Sequence, residues 1–413
     1  MANRKPTYLD LFAGAGGLSE GFQRQGYIDV AHVEMNSDAC ETLKTRSVYY
    51  YLKHNGDLSF YYRYLREEIS KDDLYLSVPE NVTSSVIKHT ISSETMSQLY
   101  SKIDSLKREK RIRKIDVIIG GPPCQAYSLV GRARSEDSMK SDPRNYLYLR
   151  YIDIVNRYQP KMIVFENVLG LYTAGEGEYY RDLVNKLKDI GYEVKDCLIN
   201  FDDYGLLQNR KRVILIGWKK NSGRFYPEFK KVAHEYTLND LFEDLPFLHP
   251  NESSDEYRNI EIPEYLSKYN IRNQCDVLTL NKARTLNAHD AQIYRLVIEA
   301  WNNDNKRLKY TDLPEELWTH NNRGCFLDRF KVIASNLSSS QTIVAHLSKD
   351  GHYFIHPDIN QCRSITVREA ARIQSFPDDY FFEGNRSAQF IQVGNAVPPI
   401  ISEMIAKELL KQL

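Results

Sequence analysis

Short apolar runs that end in glycine, proline or a carboxylate recur along this chain, and they constrain its fold more than any other feature. Thr7 to Phe12 leads into Ala13-Gly14-Ala15-Gly16-Gly17, and Ile28 to Val33 into Glu34. Ile115 to Ile119 leads into Gly120-Gly121-Pro122-Pro123, and Lys161 to Phe165 into Glu166-Asn167. Tyr192 to Ile199 and Val213 to Gly217 complete the series. Helical patterns lie between several of them, at Asp38 to Thr45, Tyr148 to Arg157 and Tyr179 to Ile190. Continuous apolar runs of this length read as strands buried on both faces. Their alternation with helices predicts βαβ units, and so an α/β, Rossmann-like, mostly parallel sheet flanked by helices. Sheets of this kind bind ligands outside the carboxyl ends of their strands, which is where the unusual residues collect.

Two stretches break the alternation. Residues 59–112 are rich in Tyr, Ser and charge and read as a helical insert. They finish in the basic run 107–114, which reads as a solvated helix end in preference to a phosphate contact. From about residue 218 the chain turns polar, irregular and rich in Asn. The expected division is a first domain over 1–217, a smaller one over 218–385, and a segment 386–413 that returns to the first.

Charge decides one exclusion. Lys+Arg and Asp+Glu both number 55, so the chain is no polybasic coat protein, although a local basic cleft stays open. No apolar run approaches the ~20 residues of a membrane helix, and the amino terminus lacks a signal-peptide pattern. The six Cys form no CxxC pair, which argues against a disulfide scaffold or a metal site. A cytoplasmic protein with reduced thiols is the expectation.

The chemistry-bearing residues follow the strands. The glycine turn after the first run permits positive φ and close backbone approach to a ligand. It is an incomplete GxGxxG, since Ser19 stands at the third Gly, so a dinucleotide is disfavoured. Glu34 is placed to accept from a ribose diol. Gly120 to Pro123 fix the backbone before Cys124, a thiol held at the mouth of the site. Glu166 ends the neighbouring run and, with its pKa raised by burial, could act as an acid. Arg210 and Arg212 alternate on one face of an extended chain, which suits two guanidinium groups reaching one anionic partner.

Six motifs in order, DLFAGAGG, GGPPCQ, FENV, QNRKR, RSITVREAARIQSFPD and QVGNAVPP, resemble those of the DNA (cytosine-5) methyltransferases. One departure is Leu207, where family members often have Pro before the Gln. The resemblance implies a class I methyltransferase fold and S-adenosyl-L-methionine as cofactor, with S-adenosyl-L-homocysteine as product. The implied cofactor contacts are Phe12 on the adenine, Ala13, Gly14, Gly16 and Gly17 near the methionine part, and Glu34 on the ribose. Met35, Asp57 at the adenine amino group, Pro123 and Asn395 complete them. The implied catalytic residues are Cys124 as nucleophile, Glu166 as acid at the base, and Arg210 and Arg212 holding base and backbone, with Arg212 also beside the thiol. Residues 1–217 become the catalytic and cofactor-binding domain and 218–385 the target-recognition domain. Arg272, Asn273, Gln274, Asn321, Asn322 and Arg323 are candidate readers of base edges, while Arg363, Thr366, Arg368 and Glu369 brace the domain junction.

The chemistry explains why these groups are needed. Carbon 5 of cytosine is a poor nucleophile, and a thiolate added at carbon 6 turns the ring into an enamine that can attack a methyl sulfonium. Carbon 6 is inaccessible in a stacked duplex, so the target nucleotide must be extruded. Double-stranded DNA is the expected partner, acted on by a monomer of a bacterial restriction–modification system. The alternatives are a transfer-RNA cytosine methyltransferase, a catalytically silent DNA-binding relative, and a nicotinamide-dependent oxidoreductase, for which the dinucleotide loop is incomplete.

Overall fold

The structure is a computed structural model, and it describes residues 4–123, 146–319, 324 and 327–413. Seven strands form one sheet: β1 (Thr7–Leu11), β2 (Ile28–Glu34), β3 (Val86–Lys88), β4 (Val117–Gly120), β5 (Met162–Asn167), β6 (Tyr192–Asn200) and β7 (Lys211–Lys219). Their order is β3-β2-β1-β4-β5-β7-β6. All neighbours are parallel except β7, which runs antiparallel to both β5 and β6. The expected α/β, mostly parallel architecture is the one observed.

Alternate residues of the strands enter different cores, as the pleat requires. Tyr8, Val117, Ile119, Val164 and Ile216 pack on one side, and Leu9, Leu11, Ile118, Ile163 and Phe165 on the other. Burial on both faces is why these strands read as continuous apolar runs. Helix α1 (Gly17–Arg24) packs against the last helix, Pro399–Leu410. Ser402 Oγ donates to the Gly17 carbonyl (2.9 Å), and the Gly21 amide donates to Ser402 Oγ (3.0 Å).

The segment 59–112 is a helical insert only in part, and the expectation is corrected here. β3 lies inside it and pairs with β2 through His32↔Val86, Val33↔Ile87 and Glu34↔Lys88. Three residues paired along one side leave no periodic signal among polar neighbours. Helix Met96–Glu109 then buries Met96, Leu99, Ile103 and Leu106 against the second core. Only 59–83 stands outside the βα alternation, where three short helices join α2 (Ser37–His54) in a cluster built on Tyr49, Tyr50, Tyr61 and Leu74. The basic run leads into the amino end of β4, opposite the strand ends that carry the site. Lys110 Nζ is held there by Asp29 (2.6 Å).

A separate apolar cluster, including Ile293, Tyr294, Val297, Phe330, Val332 and Ile355, supports the helix Ala288–Asp304 and the extended segments around it. By contrast, residues 363–383 run through the main core. Arg363 donates to both carboxylate oxygens of Glu369 (2.7 and 2.8 Å). Arg368 donates to the carbonyls of Thr279, Pro377 and Tyr380. Thr366 caps the helix Val367–Ile373, its Oγ1 accepting from the Glu369 amide. These residues brace the junction between the sheet and the 218–285 region. Cys40, Cys197, Cys275 and Cys362 carry free thiols.

Arg46 on α2 is a buried hub. Its guanidinium binds Glu20 through two nitrogens (2.7 and 2.9 Å) and Asp379 through a third (2.9 Å), and it lies 3.7 Å from the Tyr49 ring centre. Burial pushes the Glu20 carboxyl up, but Arg46 and Arg24 outweigh it and hold the group at about 2, below its ordinary 4.5. A depressed carboxyl contributes stability that is present above its unfolded value and is lost as pH falls toward the folded one. Urea unfolding midpoints should therefore decline between pH 4.5 and about 2. Arg46→Ala takes the shared cation from two buried carboxylates, leaving Glu20 only Arg24 and the Tyr50 hydroxyl, and should cost about 3–5 kcal/mol at neutral pH in the same measurement.

Candidate active site

The carboxyl ends of β1 to β5 open into a cavity of about 2750 Å³. Phe12, Ala13, Gly14, Gly17, Glu34, Met35, Pro123, Glu166, Arg210, Arg212 and Asn395 all line it. Cys124 lies outside the described residues. Gly16 and Asp57 do not line the cavity.

The glycine turn shows why the sequence folds this way locally. Phe12 adopts a positive φ of 57° at the end of β1, and the Ala13 amide donates to the Val33 carbonyl (3.1 Å). Gly14 has φ 54°, and a Cβ there would meet nothing within 4 Å, because the position opens on the cavity. Gly16 has φ 82° and caps α1; a Cβ would lie 2.8 Å from both Leu43 and the Tyr380 hydroxyl. Gly16 therefore supports the turn from below, in contrast to its expected cofactor contact. A Cβ on Gly17 would lie 2.2 Å from the Val397 carbonyl oxygen, so Gly17 admits the returning carboxyl-terminal segment. The Ser19 hydroxyl donates to Asp10 beneath the turn and lies 3.1 Å from His32 Nδ1. This buried polar group was invisible in the sequence, since none of its members stands next to another.

Glu34 ties the turn to α2. Its Oε2 accepts from the Gly14 amide (2.8 Å), and its Oε1 accepts from the Met35 and Asn36 amides (2.9 and 2.8 Å). Asn36 then caps α2 by accepting from the Ala39 amide (3.0 Å). Asp57 follows α2 at its far end, fully exposed, where its carboxylate accepts from the Ser59 amide. The expectation that Asp57 reaches the adenine is therefore corrected. The cavity wall beside Glu34 is instead supplied by Lys88, His89, Thr90, Ile91 and Ser92, at and just beyond the carboxyl end of β3. Missing β3 in the sequence meant missing these residues too.

The GGPP and ENV turns are built against each other. A Cβ on Gly121 would lie 2.9 Å from Glu166 Oε2, so the bare backbone makes room for this carboxylate. Asn167 Nδ2 donates to the Pro122 carbonyl (3.3 Å), fixing the turn that delivers Cys124. The two arginines do not converge on one partner. Arg212 Nε pairs with Glu166 Oε1 at 2.9 Å; its expected place beside the thiol involves Cys124, which lies outside the described residues. Arg210 is 1% exposed and donates to the carbonyls of Ile343 (2.8 Å), Gly394 (3.2 Å) and Ala396 (3.0 Å). It is a brace for the cavity wall, not a direct hold on base or backbone. Gln208 cooperates: its Oε1 accepts from the Ile343 amide and its Nε2 donates to Gln374, which donates to the Val393 carbonyl.

Of the candidate base readers, Arg272 is buried on Asp244 (2.5 Å) and on the Asn259 carbonyl, and so is structural. Asn273 and Gln274 are exposed away from the cavity. Asn321, Asn322 and Arg323 lie outside the described residues.

The glycines should separate in a simple test. Gly17→Ala drives a methyl group into backbone and should prevent folding or lower the thermal midpoint by many degrees. Gly14→Ala has room and bears only the cost of a positive φ, about 1–2 kcal/mol. Circular dichroism melts of the two variants check this, and equal losses would contradict it.

Comparison with known proteins shows the family of the chain. A model of the family described as C-5 cytosine-specific DNA methylase matches residues 7–79 and 83–411. The type II methyltransferase M.Bpa9945I of Bacillus paralicheniformis is 43% identical over 434 residues, covering 97% of each chain. M1.HphI of Haemophilus parahaemolyticus is 30% identical over 406 residues, covering 98% of this chain and 87% of the relative. Among solved structures, a prophage-encoded DNA modification methyltransferase of E. coli has a TM-score of 0.64 at 24% identity, covering 99% of both chains. The methyltransferase EhMeth of Entamoeba histolytica has a TM-score of 0.57 at 14% identity with the same coverage. The chain belongs to the C-5 cytosine-specific DNA methylase family and is a DNA cytosine-5 methyltransferase.

Proposed function

We propose that this chain is the modification enzyme of a type II restriction–modification system, and that it methylates a cytosine swung out of duplex DNA into the cavity described above. The relatives named as type II methyltransferases support the setting. One observation carries the site assignment: the glycine turn, the Glu166–Arg212 pair and residues of the small domain line a single cavity. A cytoplasmic monomer is the working form. Among the described residues, no helix is long and apolar enough to cross a membrane.

The family and fold imply use of S-adenosylmethionine, and the residues present fit it. Gly14 leaves open space where a side chain would otherwise stand. Glu34 is a carboxylate at the end of β2, placed to accept from a ribose diol, and Phe12 and the exposed Met35 offer apolar faces to an adenine. Asn395 closes the same wall from the helix Arg386–Asn395. Pro123 borders it from the GGPP turn. In place of Asp57, Thr90 and Ser92 beyond β3 take the adenine edge. When bound, the cofactor supplies an electrophilic methyl group on a sulfonium.

The chain's own residues prepare the base. The Cys124 thiolate adds to carbon 6 of cytosine, and the Cys–carbon bond forms as electron density moves to carbon 5. Glu166 shares a proton with ring nitrogen 3, so its carboxyl group turns from Arg212 toward the base as the ring arrives. Arg212 stays beside both and steadies the negative charge that develops on the ring. Once carbon 5 carries the methyl group, its proton passes to water, the C5–C6 double bond re-forms as the Cys–carbon bond breaks, and the proton on ring nitrogen 3 returns to Glu166, which restores aromaticity. Gly121 keeps the Glu166 carboxylate seated, and Arg210 keeps the wall around it closed.

Glu166→Gln should lower the rate 10²–10⁴-fold, the usual worth of a positioned acid, with cofactor affinity by calorimetry little changed. Cys124→Ala should abolish turnover and preserve cofactor binding. Gly121→Ala should fold normally and lose at least tenfold in kcat, because the new methyl group displaces Glu166. Labelled methyl transfer to duplex DNA and to transfer RNA, run side by side, tests the substrate. Transfer confined to RNA would overturn the proposal.

A further inference from the structure

We propose that Arg329 reads a guanine in the recognised DNA word, held in direction by Asp350; this rests on the duplex-DNA reading above. The segment 329–333 is fixed along one edge by residues 352–355. The Lys331 amide donates to the His352 carbonyl (2.9 Å), and the Ile355 amide donates to the Lys331 carbonyl (2.8 Å). The Ile333 amide donates to the Ile355 carbonyl (2.8 Å). Phe330 and Val332 are buried in the small core, so Arg329 and Lys331 point to the opposite side. That side is the wall of the cavity, lined by Arg329 and Asp350 together with Glu166 and Arg212.

Asp350 is itself fixed, because its Oδ1 accepts from the His352 amide (3.1 Å) while its Oδ2 pairs with Arg329 (3.2 Å). Gln341 Nε2 donates to the Tyr353 carbonyl (2.7 Å), and Lys331 Nζ donates to the Tyr353 hydroxyl (2.9 Å), so the neighbouring side chains are ordered as well. Side chains held on a rigid frame recognise with more precision than those on free loops.

The carboxylate decides between two uses of this arginine. A phosphate contact draws on net positive charge, and Asp350 cancels that charge and repels a phosphate. A guanine edge needs a planar fork of donors aimed at O6 and N7, and among the cationic side chains the guanidinium is the one that carries such a fork. Lysine cannot reproduce that fork. The pair is therefore built for a base edge and not for the backbone.

The test expresses the full chain, as wild type, Arg329→Ala and Arg329→Lys, in a host without cytosine methylation. Bisulfite sequencing of the host genome then reads each methylated word. The wild-type word should contain a guanine besides the one paired with the target cytosine. At that one position both variants should accept other bases, with discrimination falling about tenfold or more, while every other position keeps its preference. An unchanged word in the variants overturns the proposal. So does a loss of methylation spread evenly over all sites, which marks a phosphate contact or a purely structural role. Should the alanine variant fail to accumulate, the lysine variant, which keeps length and charge, decides alone. Wild-type DNA without 5-methylcytosine would sink the duplex-DNA reading itself, and this proposal with it.

Discussion

The buried guanidinium of Arg210 is the tie on which the site depends. It sits just before β7 and gathers three carbonyls from segments far apart in sequence: Ile343 of the 340s, and Gly394 and Ala396 of the carboxyl-terminal return. A charged donor bound to carbonyls away from water is worth more than a neutral one, and losing it would take a donor from three buried carbonyls, of which Ala396 alone keeps a second one, from Gln374. The amide chain from Gln208 through Gln374 to the Val393 carbonyl runs alongside. Together they hold the strand that carries Arg212, the wall that carries Thr342, and the helix end that carries Asn395 in one arrangement.

The same economy governs the catalytic end. Two turns from adjacent strands meet, and each lacks or supplies what the other requires. Gly121 has no side chain where Glu166 needs space, and Asn167 donates to the carbonyl of the Pro122 turn. The carboxylate, the arginine on it and the turn that delivers the thiol are thereby set against one another before any substrate arrives. On the proposed function, the groups that meet the base are thus already gathered, and only the Glu166 carboxyl group has to turn toward it.

Acidic and basic groups are otherwise paired deep in the chain, as at Arg46 with Glu20 and Asp379, or Arg372 with Asp244 and Asp378. A chain with as many acids as bases thus invests much of its charge in holding segments together. The charge left on the cleft wall, such as Arg329 beside Asp350, is placed and not diffuse, which favours recognition of base edges over general attraction to DNA.

Most of the strands were legible in the sequence because each is buried on both sides and leaves a continuous apolar run. The glycine turn, Glu34 and Glu166 were legible as strand-end residues of one cavity because they end such runs. β3 was not, since three residues paired on one side carry no period, and with it went Thr90, Ser92 and the misplacement of Asp57. Nor could spacing alone tell Arg210 from Arg212. Two positions apart in an extended chain, they share a face in sequence, yet one is enclosed by three returning carbonyls and the other by Glu166. The amino-acid sequence by itself determined the fold class, the family and the strand ends that hold the chemistry, because those depend on local periodicity and short motifs. Only the tertiary structure decided which glycine faces the cavity and which faces backbone, which arginine braces and which meets the carboxylate, and which residues beyond 218 reach the cleft. Those choices are made by contacts between segments hundreds of residues apart, as where Gly17 admits Val397.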